Sequence, residues 1–309
     1  MNQNSSLETI CANNGCNMCP RECNANREDG KLGYCTAPYE LKVARAALHL
    51  WEEPCISGER GSGTVFFSGC PLKCIYCQNR EIALGQIGKI ISIDRLVEIF
   101  FELKEKGAHN INLVTPSHYV IQIKEALQIA KSKGLDIPIV YNTSGYEKVE
   151  TLKLLEGLID IYMPDMKYYS EDIARKYSNA SDYFKVAKMA IEEMYRQVGK
   201  PVFDENEIMK KGMIVRHLVL PTHSDDSKNI VKYLYETYGD DIYISIMNQY
   251  TPCIEMNSEK YPELCETLTI SEYDDVVDYA INIGVENAFI QEGETAKESF
   301  IPAFDMEGV

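Results

Sequence analysis

Three cysteines, Cys70, Cys74 and Cys77, stand at the spacing CxxxCxxC directly after an apolar run, Thr64–Ser68 (TVFFS), that reads as a strand. A loop leaving a strand end with three thiols has to turn sharply, and Gly69 and Pro71 suit that turn. Thiolates are the natural ligands of iron–sulfur clusters. A 4Fe–4S cubane has more iron corners than this loop has thiolates, so one iron is left open to another ligand. An open position is what a metal needs to act on a substrate, as at catalytic zinc. The spacing alone also fits a Cys3His zinc site or three buried, inert cysteines. Tyr76 inside the motif, and the strand before it, favour the cluster.

From about residue 63 the chain alternates short apolar runs with amphipathic stretches. Strands are expected at Thr64–Ser68, Ile111–Val114, Ile137–Tyr141, Ile159–Met163, Met213–Leu220, Ile242–Met247 and Asn287–Ile290. Helices are expected from Ser92, a suitable cap, to Gly107, then over Val120–Lys133, Glu147–Glu156, a longer stretch through Met194, Asp226–Tyr238 and Ser271–Ile283. The strands are rich in Ile and Val and lack apolar/polar alternation, as parallel strands covered on both faces do. Repeated strand–helix units predict an α/β fold, a partial (β/α) barrel of parallel strands, with its chemistry at the C-terminal strand ends. The expected division is a Cys-rich extension over 1–62, a core over 63–295 and a tail over 296–309.

The extension carries Cys16, Cys19, Cys23 and Cys35 among polar residues too sparse in apolar groups to build a core. Such a module needs a metal staple. Four thiolates suit either structural zinc or a second, fully ligated cluster. Cys11, Cys55, Cys253 and Cys265 have no consistent partners by spacing. With 11 cysteines, no signal-like N-terminus and no membrane-length apolar run, the chain reads as cytoplasmic, where clustered thiols point to metal chemistry rather than disulfides. A formal net charge of -16 argues against a nucleic-acid partner. Glu52 and Glu53 are candidates to approach the site, although an adjacent acidic pair more often forms a solvated face, and Gln291 and Glu292 are candidate substrate contacts at the site end of the last strand.

The CxxxCxYC motif after the first strand of an α/β chain resembles the radical S-adenosylmethionine superfamily. That resemblance implies a 4Fe–4S cluster on Cys70, Cys74 and Cys77, with S-adenosylmethionine chelating the open iron and Tyr76 lying by its adenine. Residues 63–293 further resemble the activating enzymes of glycyl radical enzymes, and most closely an uncharacterised group with N-terminal cysteines and a segment like His49…Glu52-Glu53-Pro54. By that resemblance Asp165 and Lys167 of Tyr162-Met163-Pro164-Asp165-Met166-Lys167 lie near S-adenosylmethionine, and Arg216 of Val215-Arg216-His217 contacts its carboxylate. Two segments depart from the activases. Their Gly-Gly-Glu is Thr115-Pro116-Ser117-His118 here, leaving Thr115, Ser117 or backbone carbonyls for the amino group. Their Asp-Thr-Asn-Gly is Asn142-Thr143-Ser144-Gly145. The implied partners are a glycyl radical enzyme, another protein or a small molecule as substrate, and a flavodoxin or ferredoxin as reductant; no membrane is implied. A non-catalytic iron–sulfur carrier is the alternative from another class.

Overall fold

The computed structural model describes residues 15–252, 258–291 and 304–309. In chain order the strands are β1 (Leu41–His49), β2 (Ser62–Phe67), β3 (Lys89–Ile91), β4 (Ile111–Val114), β5 (Ile139–Thr143), β6 (Ile161–Pro164), β7 (Val202–Phe203), β8 (Met209–Leu218), β9 (Tyr243–Met247) and β10 (Ala288–Ile290). The helices are α1 (Pro54–Ser57), α2 (Arg80–Ala83), α3 (Ile93–Glu105), α4 (Val120–Ser132), α5 (Val149–Leu152), α6 (Glu171–Ser178), α7 (Tyr183–Val198), α8 (Ser224–Tyr238) and α9 (Ile270–Ile283).

All strands share one sheet, in the order β10-β9-β8-β6-β5-β4-β2-β1-β3, with β7 beside β8. From β2 to β10 every pairing along that path is parallel. β1, β3 and β7 pair antiparallel. The expected partial barrel is therefore present, with an antiparallel hairpin added to one edge. β2, β4, β5 and β6 are buried along their whole length, which explains their unbroken apolar pattern. Alternate residues face opposite ways. Ile139 and Tyr141 of β5 join Leu96, Phe100, Ile123, Leu127 and Ile191 in the layer between sheet and helices. Val140, Ile161, Met163 and Ile214 face the barrel interior, where Cys55 and Ile56 of α1 pack against them. That plug raises the chain just before α1 to the floor of the open end.

Local signals set most boundaries. Ser92 caps α3 by accepting from the Arg95 amide at 3.1 Å. Thr269 and Glu272 form a capping box on α9. The stretch expected as one helix through Met194 is two, because Asn179 turns left-handed (φ 48°, ψ 46°) and ends α6. The helix expected over Glu147–Glu156 shrinks to α5 and a 3-10 turn, Lys153–Leu155. β1 was not expected at all. Its Ala-rich sequence looks helical, yet it pairs with β2 and buries Val43 and Ala46 in the main core. The Cys-rich segment thus gives way to the sheet well before residue 62. The end of the chain also returns to β1: Glu307 O accepts from the Ala46 amide at 2.8 Å and Phe304 packs on Phe66. No helix among the described residues is long and apolar enough to cross a membrane.

Candidate active site

The loop that leaves β2 opens with Gly69 at φ 95°, where an added Cβ would lie 2.7 Å from the carbonyl oxygen of Cys35. Only glycine allows both that backbone and that approach. The loop then bends back so that backbone amides meet sulfur: Cys70 Sγ accepts from Leu72 at 3.4 Å and from Lys73 at 3.5 Å. The Asn79 amide lies against Cys77 in the same way. Ser178 Oγ donates to Cys74 Sγ at 3.0 Å, and Tyr168 shares a 2.7 Å hydrogen bond with that hydroxyl. These donors stabilise a thiolate over a thiol. Burial works the other way without a metal: it pushes Cys70 up to about 11 and Cys77 higher still. A bound cation would replace those protons.

All three cysteines line one cavity of ≈ 260 Å³. The rest of its wall comes from C-terminal strand ends: Phe66 and Phe67 of β2, Val114 and Thr115 at β4, Asn142 and Thr143 of β5, Asp165 after β6, Arg216 and Leu218 of β8, and Met247 of β9. Among the described residues no three His, Cys, Asp or Glu side chains close on a single ion. Three thiols on one loop are the donor set that a 4Fe–4S cluster with one open iron takes.

The same cavity is lined by a half-buried row of alternating charge. Lys167 Nζ binds Asp165 Oδ2 at 2.7 Å, and Arg216 Nε binds Asp165 Oδ1 at 3.1 Å. Arg216 also donates to Asn142 Oδ1 at 2.6 Å and to Glu52 Oε2 at 3.2 Å. Asn112 Nδ2 holds the other Glu52 oxygen at 3.1 Å. Burial alone would raise Asp165, but Lys167 and Arg216 beside it hold its carboxyl below the usual range. Burial dominates at Glu52 and Glu53 and raises both despite Arg216. The pair is thus not a solvated face: Glu53 is buried, and Glu52 is half-buried and lines the cavity. An adjacent acidic pair gives no hint of that in the sequence.

Of the other expected site residues, Tyr76 lines the cavity with its ring packed edge-on against Tyr168, Tyr177 and Tyr250. Thr115 lines it with a left-handed backbone (φ 57°), which is strained for a β-branched residue and held by the hydrogen bond its backbone N–H donates to Asn142 O. Ser117 is not brought into the cavity. It is buried behind it, donating to Glu147, which also accepts from Thr143. Gln291 orients the loop after β9 through the Asn248 amide at 2.8 Å; Glu292 lies outside the described residues. Sequence reasoning missed Glu147 and Ser178 entirely, since neither belongs to a motif.

The Cys-rich segment sits directly on the cluster loop. Cys35 O accepts from the Cys70 amide at 3.2 Å. Arg21 donates to the carbonyls of Pro71 and Ser178, both at 2.8 Å, and of Asn179 at 2.5 Å. Cys16, Cys19 and Cys35 are buried and Cys23 is exposed.

Comparison with known families agrees with this geometry. The radical SAM superfamily profile matches residues 64–234, more than half the chain. The chain belongs to the radical SAM superfamily. Membership implies a 4Fe–4S cluster and S-adenosylmethionine, and the thiols and cavity fit both. An uncharacterized protein of Methanocaldococcus jannaschii is 28% identical over 86% of this chain and 74% of its own length. A pyruvate formate-lyase-activating enzyme of Clostridium pasteurianum is 25% identical over 54% of this chain and 66% of its own. Among solved structures, SuiB of Streptococcus suis bound to its precursor peptide SuiA aligns with TM-score 0.49 at 15% identity, over 73% of this chain. The match spans 47% of SuiB, about half its length. Methylornithine synthase aligns with TM-score 0.46 at 14% identity, over 80% of this chain and 72% of its own.

Proposed function

We propose that this radical SAM protein is an enzyme that binds its cluster through Cys70, Cys74 and Cys77 and cleaves S-adenosylmethionine reductively, then abstracts hydrogen from a partner. The observation that carries the reading is that three hydrogen-bonded thiols and the half-buried Arg216–Asp165–Lys167 row line one cavity. When bound, the reduced cluster supplies the electron that splits a sulfur–carbon bond and yields a 5′-deoxyadenosyl radical. The chain's own residues bind and orient. Arg216 offers a planar fork to a carboxylate, and Lys167 places a second cation beside the cysteines. Thr115 and the carbonyls of its strained turn offer acceptors for an amino group. The buried wall excludes water from a reactive intermediate. A carrier protein would seal its cluster with a fourth thiolate, and the described wall of the cavity has only these three cysteines.

As partner we propose a glycyl radical enzyme, supported by the match to the activating enzyme over 54% of the chain. Localisation in the cytoplasm accords with that partner and with reduced thiols. The test is anaerobic reconstitution, followed by turnover with candidate partners while deuterium is followed into 5′-deoxyadenosine. Cys74→Ala is expected to abolish 5′-deoxyadenosine formation while leaving the secondary structure intact. Unimpaired formation by that variant would refute the assignment.

A further inference from the structure

Between β1 and α1 the chain makes a short turn that carries two large apolar side chains in solvent. Leu50 is 53% exposed, and Trp51, the chain's single tryptophan, is 62% exposed. Folding gains little from an indole left in water, because apolar area stabilises only when it is buried. The turn is nonetheless held firmly. The Glu52 amide donates to Ser57 Oγ at 3.0 Å, and that hydroxyl donates to His49 O at 3.4 Å. Arg216 grips one Glu52 oxygen at 3.2 Å and Asn112 the other at 3.1 Å. A large ring on a pinned backbone loses little freedom when something covers it, which is what makes tryptophan a strong binding anchor.

Trp51 is also part of the cavity wall, with His49 and Glu52 of the same turn. One indole thus belongs both to the reacting space and to the surface, and Leu50 adds an apolar side chain next to it. The volume says what kind of partner uses this mouth. At ≈ 260 Å³ the cavity is smaller than the roughly 300–1,000 Å³ of pockets that enclose a small-molecule ligand, and S-adenosylmethionine must share it. A hydrogen donor therefore enters only in part, and the remainder of it lies on the surface outside. The lysine and arginine of the wall, Lys167 and Arg216, are already paired with Asp165 and Glu52. The wall also offers the amides of Gln78, Asn79 and Gln249, donors and acceptors of the kind a peptide backbone pairs with.

We propose that Trp51 anchors an uncharged polypeptide segment of the hydrogen-donating partner by packing on an apolar side chain beside the residue that gives up its hydrogen. This rests on the reading of the cavity as the S-adenosylmethionine site. Trp51 holds and places the segment and takes no part in the bond changes.

The test uses the anaerobically reconstituted protein with S-adenosylmethionine bound and no reductant, so that nothing turns over. From a library of glycine-centred heptapeptides, wild type is expected to capture sequences enriched in large apolar residues beside the glycine, and Trp51→Ala to lose that enrichment. The enriched peptide should move the emission of Trp51 to shorter wavelength and remove most of its quenching by acrylamide, as the ring leaves water. With reductant added, Trp51→Ala should raise the KM for the peptide at least about tenfold but that for S-adenosylmethionine less than about twofold, and Trp51→Phe should recover most of the loss. No enrichment at any position, or emission and quenching that the peptide leaves unchanged, overturns the proposal. N-acetylglycinamide turned over with the same KM as the peptide, in wild type and Trp51→Ala alike, overturns it too, since a small molecule then suffices. A peptide that protects Trp51 while no 5′-deoxyadenosine forms on reduction upholds the anchor and overturns the enzyme reading instead.

Discussion

Glu147 is a carboxylic acid sealed behind the active site, and replacing it with Gln has a computable consequence. Its hydrogen bonds from Ser117 and Thr143 favour the ionised form, but burial outweighs them and pushes the carboxyl up from 4.5 to about 7. Between those pH values the folded chain holds a proton that the unfolded chain has released. Stability therefore falls as pH rises from about 4.5 to about 7, and the loss is complete above that. At roughly 1.4 kcal/mol per pH unit, the carboxyl costs up to about 3 kcal/mol at pH 8. Glu147→Gln keeps an acceptor for the two hydroxyls and removes the titration. Urea unfolding, followed anaerobically from pH 4.5 to 8, should show the variant gaining on wild type as pH rises, by up to about 3 kcal/mol at the alkaline end. Parallel pH profiles for the two proteins would show that Glu147 titrates normally, and that burial is not its dominant influence.

Three further substitutions probe the site and its support. Arg216→Lys loses the fork shared among Asp165, Asn142 and Glu52; it should cost about 1–3 kcal/mol of S-adenosylmethionine binding, read as a rise in KM of roughly 5- to 150-fold. Gly69→Ala places a methyl 2.7 Å from the Cys35 carbonyl oxygen at a left-handed backbone; the iron content of the core loop after reconstitution should drop well below that of wild type. Arg21→Ala removes three bonds from a charged donor to the carbonyls of residues 71, 178 and 179; it should destabilise the N-terminal segment by about 2–4 kcal/mol and speed its cleavage by added protease, while the core from β2 onward stays resistant.

What the sequence made legible follows from where the information is local. Seven parallel strands announce themselves because each is a short apolar run, most of them largely buried, and the cysteine loop because thiols at close spacing are rare without a purpose. Asn142, Asp165, Lys167 and Arg216 came from the resemblance to the activating enzymes, and the fold agrees because it brings these strand ends to one cavity. β1 escaped because its pattern depends on what it pairs with, not on its own composition. Ser117 went astray for a related reason: two residues past Thr115 the chain has already turned away from the cavity, and a hydroxyl's direction is not written in its spacing. Glu52 and Glu53 looked solvated because no local signal tells that the next residues will be driven into the barrel as a plug.

The row Glu52–Arg216–Asp165–Lys167 is already complete in the protein alone. Any incoming anion that takes the guanidinium must first evict a resident carboxylate, so ligand capture there is a swap of partners and not a filling of empty space. The net gain is the difference between two similar contacts. An evicted Glu52 loses the cation that opposes its burial and is drawn further toward its protonated form.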